Sequence, residues 1–396
     1  MSNVHRESTA SAAFGQLVKV EAHVLRWPVR VPVRTSFGTM HDRPAVLVRV
    51  EDTDGAHGWG EAWCNFPSCG AEHRARLIET VLAPLLVGRS FASPEAVFDE
   101  LTQKTAVLAL QTGEPGPLAH AIAGIDIALH DLAARRAGQP LWRLLGRLNR
   151  ASRAAGAALP QVGVYASGIN PDGAGETVAT LRAMGHTAFK LKVGFGAERD
   201  LANLRDVRAA AGAAAPLMVD ANQAWDLDTA LVMSARFASS ALAWLEEPLR
   251  ADRPMQEWQR LAEAAPMPLA AGENAIGDAA FDALIASRAI AVVQPDLAKW
   301  GGISGVLRVI DRIDAAGLRY CPHYLGAGIG LLASAHVLAA RGASTSMLEV
   351  DSNENPLRTT LCPPLEGLAR GRIQLGDEAG LGVTVDLAQM LDLCAR

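Results

Sequence analysis

The sequence lacks the features of three broad classes of protein. It contains no apolar run of about 18 residues, so it offers no candidate membrane span. Its net charge is −5 and its lysines and arginines are spread along the chain, which argues against a nucleic-acid-binding face. Its five cysteines are odd in number and form no C-x-x-C pair, which argues against a disulfide framework or a structural zinc site.

The composition and the N-terminal segment indicate a large globular protein. Hydrophobic residues make up 49% and charged residues 20% of the 396 positions, a balance that can fill a large core. The length suits two or three domains, or one barrel with a smaller unit. Residues 1–16 form a polar tail without the apolar core of a signal peptide, so we expect a cytoplasmic location.

The first part of the chain, residues 17–150, predicts an α+β domain. Three apolar segments predict antiparallel strands: 17–26, 45–51 and 57–63. Three later segments carry apolar residues at helical spacing: 72–86, 94–110 and 117–137. Strands followed by helices are typical of an α+β unit. Two irregular loops, at 33–42 and 63–71, are either plain connections or lids over a site.

The second part, residues 160–375, predicts a (β/α)8 barrel, because short apolar strands alternate with helical segments. Eight strands are predicted: 162–167, 188–193, 217–222, 243–247, 269–273, 291–296, 319–323 and 347–351. An open doubly wound sheet is the alternative, but no Gly-rich phosphate turn follows the first strand. Residues 146–160 are predicted as a linker, and residues 376–396 as a segment that returns to the first domain.

Three acidic residues end consecutive predicted strands: Asp220, Glu246 and Glu273. Polar groups at the carboxyl ends of barrel strands meet at the mouth of the barrel, where active sites of this fold lie. Three carboxylates on adjacent strands repel one another unless a cation lies among them. Hard oxygen ligands select Mg²⁺, or Mn²⁺, over zinc. The alternative is a cluster of carboxylates that share protons.

Two lysines, Lys190 and Lys192, lie one residue apart in the second predicted barrel strand and therefore share one face of it. An exposed strand with two solvated lysines is the plain interpretation of such a pair. In a buried site, an ammonium about 6.5 Å away would supply roughly 2.5 of the roughly 4 kcal/mol needed to make a lysine a base near neutral pH. We therefore predict Lys192 as a base whose pKa is lowered mostly by Lys190, with burial and the metal supplying the remainder.

Asp296 and His323 end neighbouring predicted strands, and Glu349 ends the eighth. A carboxylate beside an imidazole fixes its tautomer and raises its basicity, which predicts a proton-transfer dyad. A buried structural ion pair is the alternative for this pair.

The order of these residues resembles the enolase superfamily, and within it the mandelate racemase subgroup. Four further stretches are similar to that group: Gly58-Trp59-Gly60-Glu61-Ala62, Ala123-Gly124-Ile125-Asp126-Ile127-Ala128, Ala221-Asn222-Gln223-Ala224-Trp225 and Lys299-Trp300-Gly301-Gly302. The muconate cycloisomerase and dipeptide epimerase branches would place a lysine where Asp296 stands, so they fit less well. The resemblance implies a capping domain whose two loops close over the substrate, and a homo-oligomer.

The resemblance also implies Mg²⁺-dependent removal of the proton α to a carboxylate, through an enediolate stabilised by the metal, Lys190 and a protonated Glu349. Lys192 and His323 would approach the α-carbon from opposite faces. Dehydration of an acid sugar to a 2-keto-3-deoxy acid is favoured, and racemisation or epimerisation of a 2-hydroxy acid is the alternative. A barrel that binds a metal and a carboxylate without turnover is the remote alternative.

Seven residues are predicted to contact the substrate. Arg34, His41 and Asn65 in the loops could bind hydroxyl groups, whereas Phe37 and Trp63 suggest a partly apolar pocket. The remaining two end the first and third barrel strands: Ser167 and Asn222.

Overall fold

The computed structural model describes residues 14–34, 38–146 and 158–395, and the first domain is built on a three-stranded antiparallel sheet in the order β1-β2-β3. Its strands are β1 (Leu17–Arg34), β2 (Thr39–Asp52) and β3 (His57–Ala62). The expected irregular loop over 33–42 is wrong at both ends, because β1 and β2 extend into it. The buried side chains of Val33 and Met40 explain this, since the two residues pair across the strands.

Four helices follow this sheet: α1 (Gly70–Leu77), α2 (Pro94–Thr112), α3 (Pro115–Arg136) and α4 (Leu141–Leu145). The predicted helix over 72–86 is not one continuous α-helix, because a π-helical turn and a 3₁₀ turn follow α1. Helix α3 packs against β3 at close range. A Cβ atom on Gly60 would lie 2.0 Å from the carbonyl oxygen of Gly124, so only glycine allows this approach.

The second domain is a modified (β/α)8 barrel, and all eight predicted strands are present in it. The barrel strands are β4 (Gln161–Ile169), β5 (Phe189–Lys192), β6 (Leu217–Asp220), β7 (Trp244–Glu246), β8 (Leu269–Ala271), β9 (Val292–Val293), β10 (Arg319–Tyr320) and β11 (Leu348–Asp351). They are parallel, and their hydrogen-bonded order runs β11-β4-β5-β6-β7-β8-β9-β10. A short strand outside the predicted set, β12 (Arg372–Gln374), pairs antiparallel with β4.

Helices surround the barrel and complete the chain. They are α5 (Ala174–Ala183), α6 (Ala197–Ala211), α7 (Leu227–Arg236), α8 (Met255–Ala264), α9 (Asp278–Ser287), α10 (Gly302–Ala315), α11 (Gly328–Arg341), α12 (Pro356–Leu361) and α13 (Leu387–Cys394). Within the described ranges, none of the helices combines the length and the apolar character of a membrane span. The barrel interior has its own small core, formed by Tyr165, Ala188, Met218, Trp244, Ala270, Val292 and Cys321.

Two buried carboxylates of the first domain hold the N-termini of barrel helices. Glu61 on β3 accepts the backbone N–H groups of Ala327, at 2.6 Å, and Gly330, at 2.9 Å, where α11 begins. Asp126 on α3 accepts the N–H groups of Ile303, at 2.7 Å, and Ser304, at 3.0 Å, in the first turn of α10. Helix N-termini carry unpaired N–H groups and a positive dipole end, so a carboxylate is the matching partner.

A third buried carboxylate, Asp131 on α3, joins the C-terminal segment to the first domain. It accepts the N–H groups of Trp59, at 2.9 Å, and Leu381, at 2.7 Å. Arg135 pairs with it at 2.8 Å and also donates to the carbonyl oxygen of Val383. Burial raises the pKa of all three carboxylates, Glu61, Asp126 and Asp131, which we call the docking carboxylates.

Candidate active site

A cavity of about 270 Å³ opens at the carboxyl ends of the barrel strands and is covered by the first domain. It brings together five residues predicted from the sequence as catalytic or metal-binding: Lys192, Asp220, Glu273, His323 and Glu349. Three predicted substrate contacts also line it: Trp63, Ser167 and Asn222. The cavity therefore collects eight of the predicted site residues, and their roles stay predictions.

Lys190 and Glu246 lie beside this cavity in the barrel interior rather than in its lining. The Lys190 ammonium contacts Glu246 Oε1 and lies 2.8 Å from Glu349 Oε1. Burial lowers the pKa of Lys190, but Glu246 and Glu349 together outweigh burial and hold that pKa well above its usual value. Lys190 is therefore held in its charged form between two carboxylates. Tyr165 completes this group, because its hydroxyl donates to Glu349 Oε2 at 3.2 Å.

The pKa of Lys192 is lowered, as the sequence predicted, but for a different main reason. Burial is the largest influence and lowers it, while Asp220 and Asp351 raise it and Lys190 adds a smaller lowering. The expectation that Lys190 supplies over half of the shift is wrong. Because Lys190 is paired with two carboxylates, their negative charge offsets most of the effect of the Lys190 ammonium on the pKa of Lys192.

Four carboxylates crowd the mouth of the barrel, and we call Asp220, Glu246, Glu273 and Glu349 the mouth carboxylates. Three of them are buried, and Glu273 is partly exposed. Asp220 and Glu246 are directly opposite each other on β6 and β7. The pKa of Asp220 is raised by burial and by Glu273, and that of Glu246 is raised to about 7 by burial and by Asp220, against the effect of Lys190. This is the mutual repulsion that the sequence predicted.

The remaining two mouth carboxylates are stabilised in their ionised form by cationic side chains. The pKa of Glu273 falls to about 2, because His323 and Lys299 outweigh burial. That of Glu349 is also lowered, because Lys190 and His323 outweigh burial. The protonated Glu349 that the family resemblance implies is therefore not favoured in this structure.

The donor chemistry of the mouth carboxylates fits Mg²⁺, since they offer hard anionic oxygens in a buried site. In the described part of the chain, however, no three His, Cys, Asp or Glu side chains are arranged to hold a metal ion as they stand. Glu246 faces Lys190, and Glu273 Oε2 lies 3.0 Å from His323 Nε2. Side-chain cations thus contact the carboxylates that a divalent cation would need. The ligand set Asp220, Glu246 and Glu273 stays a prediction.

His323 and Asp296 form the predicted pair, with His323 Nδ1 2.7 Å from Asp296 Oδ2. Asp296 is held in turn by the N–H group of Ala298, which donates to Oδ1 at 2.9 Å. Burial lowers the pKa of His323, but Glu273, Glu349 and Asp296 together raise it to about 10. The imidazole is thus oriented by a carboxylate and placed at the cavity wall.

The predicted lid residues that the structure describes differ in their burial and in their distance from the cavity. Asn65 is buried and donates to the carbonyl oxygen of Leu325 at 2.8 Å, and it does not line the cavity. His41 is exposed on β2. Phe37 and the side chain of Arg34 lie outside the described part of the chain, so their roles stay predictions.

Several residues of the site were missed from the sequence. Lys299 lines the cavity, with Nζ 2.8 Å from Asn274 Oδ1, 3.4 Å from Glu273 Oε1 and 5.0 Å from the centre of the Trp63 ring. Its only signal was its place in a family-like stretch. Glu247 is buried beside the cavity, and Asn274 Nδ2 donates to both of its oxygens, at 2.9 and 3.0 Å.

A buried ion pair between the two domains adjoins the site and was also missed. Arg43 on β2 lies 2.6 Å from Asp351 Oδ2, and Arg358 lies 3.2 Å from the same oxygen. Asp351 lines the cavity. The first domain is therefore tied to the cavity wall through a charge pair, not only through loops that cover it.

Two family models match most of the chain. The N-terminal domain of the mandelate racemase / muconate lactonizing enzyme family matches residues 18–146, and the enolase C-terminal domain-like family matches residues 174–389. L-talarate/galactarate dehydratase from Salmonella typhimurium is 35% identical over 288 residues, which cover 72% of this chain and 68% of that protein. Other relatives are named as cycloisomerases, among them D-galactarolactone cycloisomerase from Agrobacterium fabrum, 29% identical over 94% of this chain and 97% of that protein.

Solved structures share the whole architecture. A protein from Bordetella bronchiseptica RB50 described as mandelate racemase/muconate lactonizing enzyme is 60% identical, with a TM-score of 0.88 over 96% of this chain and 99% of that chain. A racemase from Streptomyces coelicolor A3(2), solved with bound magnesium, is 25% identical, with a TM-score of 0.81 over 95% of this chain and 99% of that chain.

Proposed function

The chain belongs to the mandelate racemase/muconate lactonizing enzyme family of the enolase superfamily, and on that premise we propose that it removes the proton α to a carboxylate with the help of Mg²⁺. The observation that carries the proposal is the shared cavity, in which Lys192 and His323 stand beside Asp220 and Glu273. Two groups able to carry protons and a set of oxygen donors are thus available to one small substrate.

In this proposal Asp220, Glu246 and Glu273 hold the Mg²⁺ ion. When bound, Mg²⁺ draws charge from the substrate carboxylate and makes the α-carbon more acidic. Lys192 Nζ takes the α-proton, because burial favours its neutral form. Lys190 provides positive charge where negative charge develops on the enediolate.

The substrate class that we favour is an acid sugar, and the reaction is dehydration to a 2-keto-3-deoxy acid. Four amide side chains line the cavity and suit hydroxyl groups: Asn222, Gln223, Asn274 and Asn353. The C–H bond at the α-carbon breaks and its proton goes to Lys192 Nζ. The C–O bond at the β-carbon then breaks, His323 Nε2 protonates the departing hydroxyl to water, and the enol product rearranges to the 2-keto acid.

Racemisation or epimerisation is the second candidate, and one feature of the cavity favours it. Apolar side chains form part of the wall: Val33, Trp63, Phe66 and Leu325. Such a wall suits a substrate with an apolar group on the α-carbon better than a polyol. In this reaction His323 returns a proton to the face opposite Lys192, and no C–O bond breaks.

One experiment separates these reactions. The protein is incubated in deuterated water with Mg²⁺ and a panel of sugar acids, 2-hydroxy acids and amino-acid derivatives, and proton NMR is combined with a 2-keto acid assay. A 2-keto product supports dehydration, whereas α-deuterium without a 2-keto product supports the racemase or epimerase. Neither signal across a broad panel would contradict the proposal and favour a barrel that binds without turnover.

A further inference from the structure

Glu246 is held through its two oxygens in different ways. Its Oε2 atom accepts two hydrogen bonds from neutral donors of the barrel, Trp244 Nε1 at 3.0 Å and Gln294 Nε2 at 2.7 Å. Its Oε1 atom contacts only the Lys190 ammonium among the contacts found in the described residues. All four residues are nearly inaccessible to solvent.

The two kinds of partner respond differently to a cation. Trp244 and Gln294 are neutral and fully buried, so added positive charge does not repel them. Lys190 is a charged side chain on a flexible stem, and it has a second carboxylate, Glu349, only 2.8 Å away. Positive charge arriving at Oε1 would therefore displace Lys190 and leave the Oε2 bonds in place.

We propose that Gln294 and Trp244 are positioning residues that fix Glu246 through Oε2, so that Oε1 alone remains for Lys190 or a divalent cation to occupy in turn. The inference rests on the proposed function, because it takes Glu246 as a ligand. It adds that Glu246 binds the cation through one oxygen, and that cation binding releases Lys190 from Glu246 to Glu349. Lys190 would then face the substrate carboxylate only when the cation is present.

Gln294 is the better probe of the two positioning residues. Trp244 also packs edge-on against Tyr165, with ring centres 5.5 Å apart, so replacing it would disturb the barrel core. Gln294→Met keeps the length of the side chain and removes both the donor and the acceptor. Tyr320→Phe is the matched control, because its hydroxyl is buried in the same barrel and has no hydrogen-bond partner among the described residues.

The test measures Mn²⁺ binding by electron paramagnetic resonance, with Mg²⁺ as a competitor, and does not depend on turnover. We expect Gln294→Met to bind Mn²⁺ about 10- to 100-fold more weakly than the wild type, because a carboxylate without its orienting donor must be ordered on binding. Tyr320→Phe should stay within about twofold. A Gln294→Met variant that binds within about twofold of the wild type overturns the inference and leaves the proposed function standing.

A wild-type protein that binds neither Mn²⁺ nor Mg²⁺ overturns the proposed cation site itself, which is a distinct result. Crystal structures of the wild type with and without Mg²⁺ provide the test that needs no variant. The inference predicts that Glu246 keeps its hydrogen bond to Gln294 while Lys190 moves beyond about 4 Å from Glu246. Loss of the Gln294 bond with Lys190 still on Glu246 would overturn it.

Discussion

The docking carboxylates and the mouth carboxylates differ in the partners that dominate around them. Glu61 and Asp126 accept backbone N–H groups at helix N-termini, and their partners cannot leave. The mouth carboxylates instead face one another and the side-chain cations of Lys190 and His323. Backbone N–H groups of the barrel helices join the two domains, whereas the proposed function requires a metal ion to replace side-chain cations as the partner of the mouth carboxylates. We therefore assign stability to the first set and chemistry to the second.

The largest expected effect is at the proton-carrying groups beside the mouth carboxylates. Lys192→Met keeps most of the side-chain volume and removes the amine, so turnover should fall about 10²- to 10⁴-fold while the free energy of unfolding changes by less than about 1.5 kcal/mol. His323→Asn should lose turnover to a similar extent. In deuterium exchange followed by NMR, Lys192→Met should lose exchange of the α-proton. If the reaction is racemisation or epimerisation, His323→Asn should lose exchange at the opposite face of the α-carbon only. Full activity in both variants would contradict the assignment of these groups.

Replacing a docking carboxylate should lower the stability of the protein and leave its turnover nearly unchanged. Glu61→Ala leaves the buried N–H groups of Ala327 and Gly330 without an acceptor, which should lower the free energy of unfolding by about 2–4 kcal/mol. The kcat of the folded protein should stay within about threefold of the wild type. Urea denaturation and kinetics measure both quantities, and Glu21→Ala, on the same sheet, is the control. A stable but inactive Glu61→Ala variant would break the comparison.

Acid should weaken the contacts that the buried His336 on α11 makes with α4 and with the C-terminal segment. The N–H group of Trp142 donates to His336 Nδ1 at 3.0 Å, and Nε2 lies 3.2 Å from the carbonyl oxygen of Leu381. Burial lowers the pKa of His336 from 6.5 to about 4, so the neutral form is the native one. The contribution of His336 to the free energy of unfolding is fully present above pH 6.5. It is lost as the pH falls toward 4, by up to about 1.4 kcal/mol per pH unit.

The His336→Gln variant tests this pH dependence. It should be less stable than the wild type at pH 7 and should lose less stability than the wild type between pH 6.5 and 4.5, as measured by urea denaturation at each pH. An unchanged slope would show that other groups cause the acid sensitivity.

The smallest effect is expected at Lys299, which joins the cavity to the first domain. Lys299→Met removes the hydrogen bond to Asn274 and the contact with Glu273, so kcat/KM should fall about tenfold. Lys104→Met, an exposed lysine on α2, should leave kcat/KM unchanged. Equal effects in the two variants would show that Lys299 belongs to the surface and not to the site.

The fold could be predicted from the sequence because its strands are short, apolar and regularly spaced. The mouth carboxylates and Lys192 could be predicted for the same reason, since each ends or lies in such a strand. The extension of β1 and β2 into residues 33–42 could not, because it depends on the pairing of Val33 with Met40 rather than on a run of apolar residues.

Contacts between residues that are far apart in the chain also could not be predicted from the sequence. Arg43 and Asp351 are 308 positions apart, and neither position shows by itself that the two side chains meet. Glu61 and Asp126 were noticed only as part of family-like stretches, and their role at helix N-termini follows from the packing of two domains. Gln294 was passed over because an amide before Pro295 and Asp296 carries no pattern of its own.

Titration with Mn²⁺ of one variant from each set tests the comparison most directly. Glu273→Gln removes a charge from the mouth carboxylates, and Asp126→Asn removes one from the docking carboxylates. The account predicts that Glu273→Gln binds Mn²⁺ at least about 100-fold more weakly than the wild type, while Asp126→Asn, although less stable, binds it as the wild type does. Equal loss of Mn²⁺ binding in both variants, or loss in Asp126→Asn alone, would contradict it.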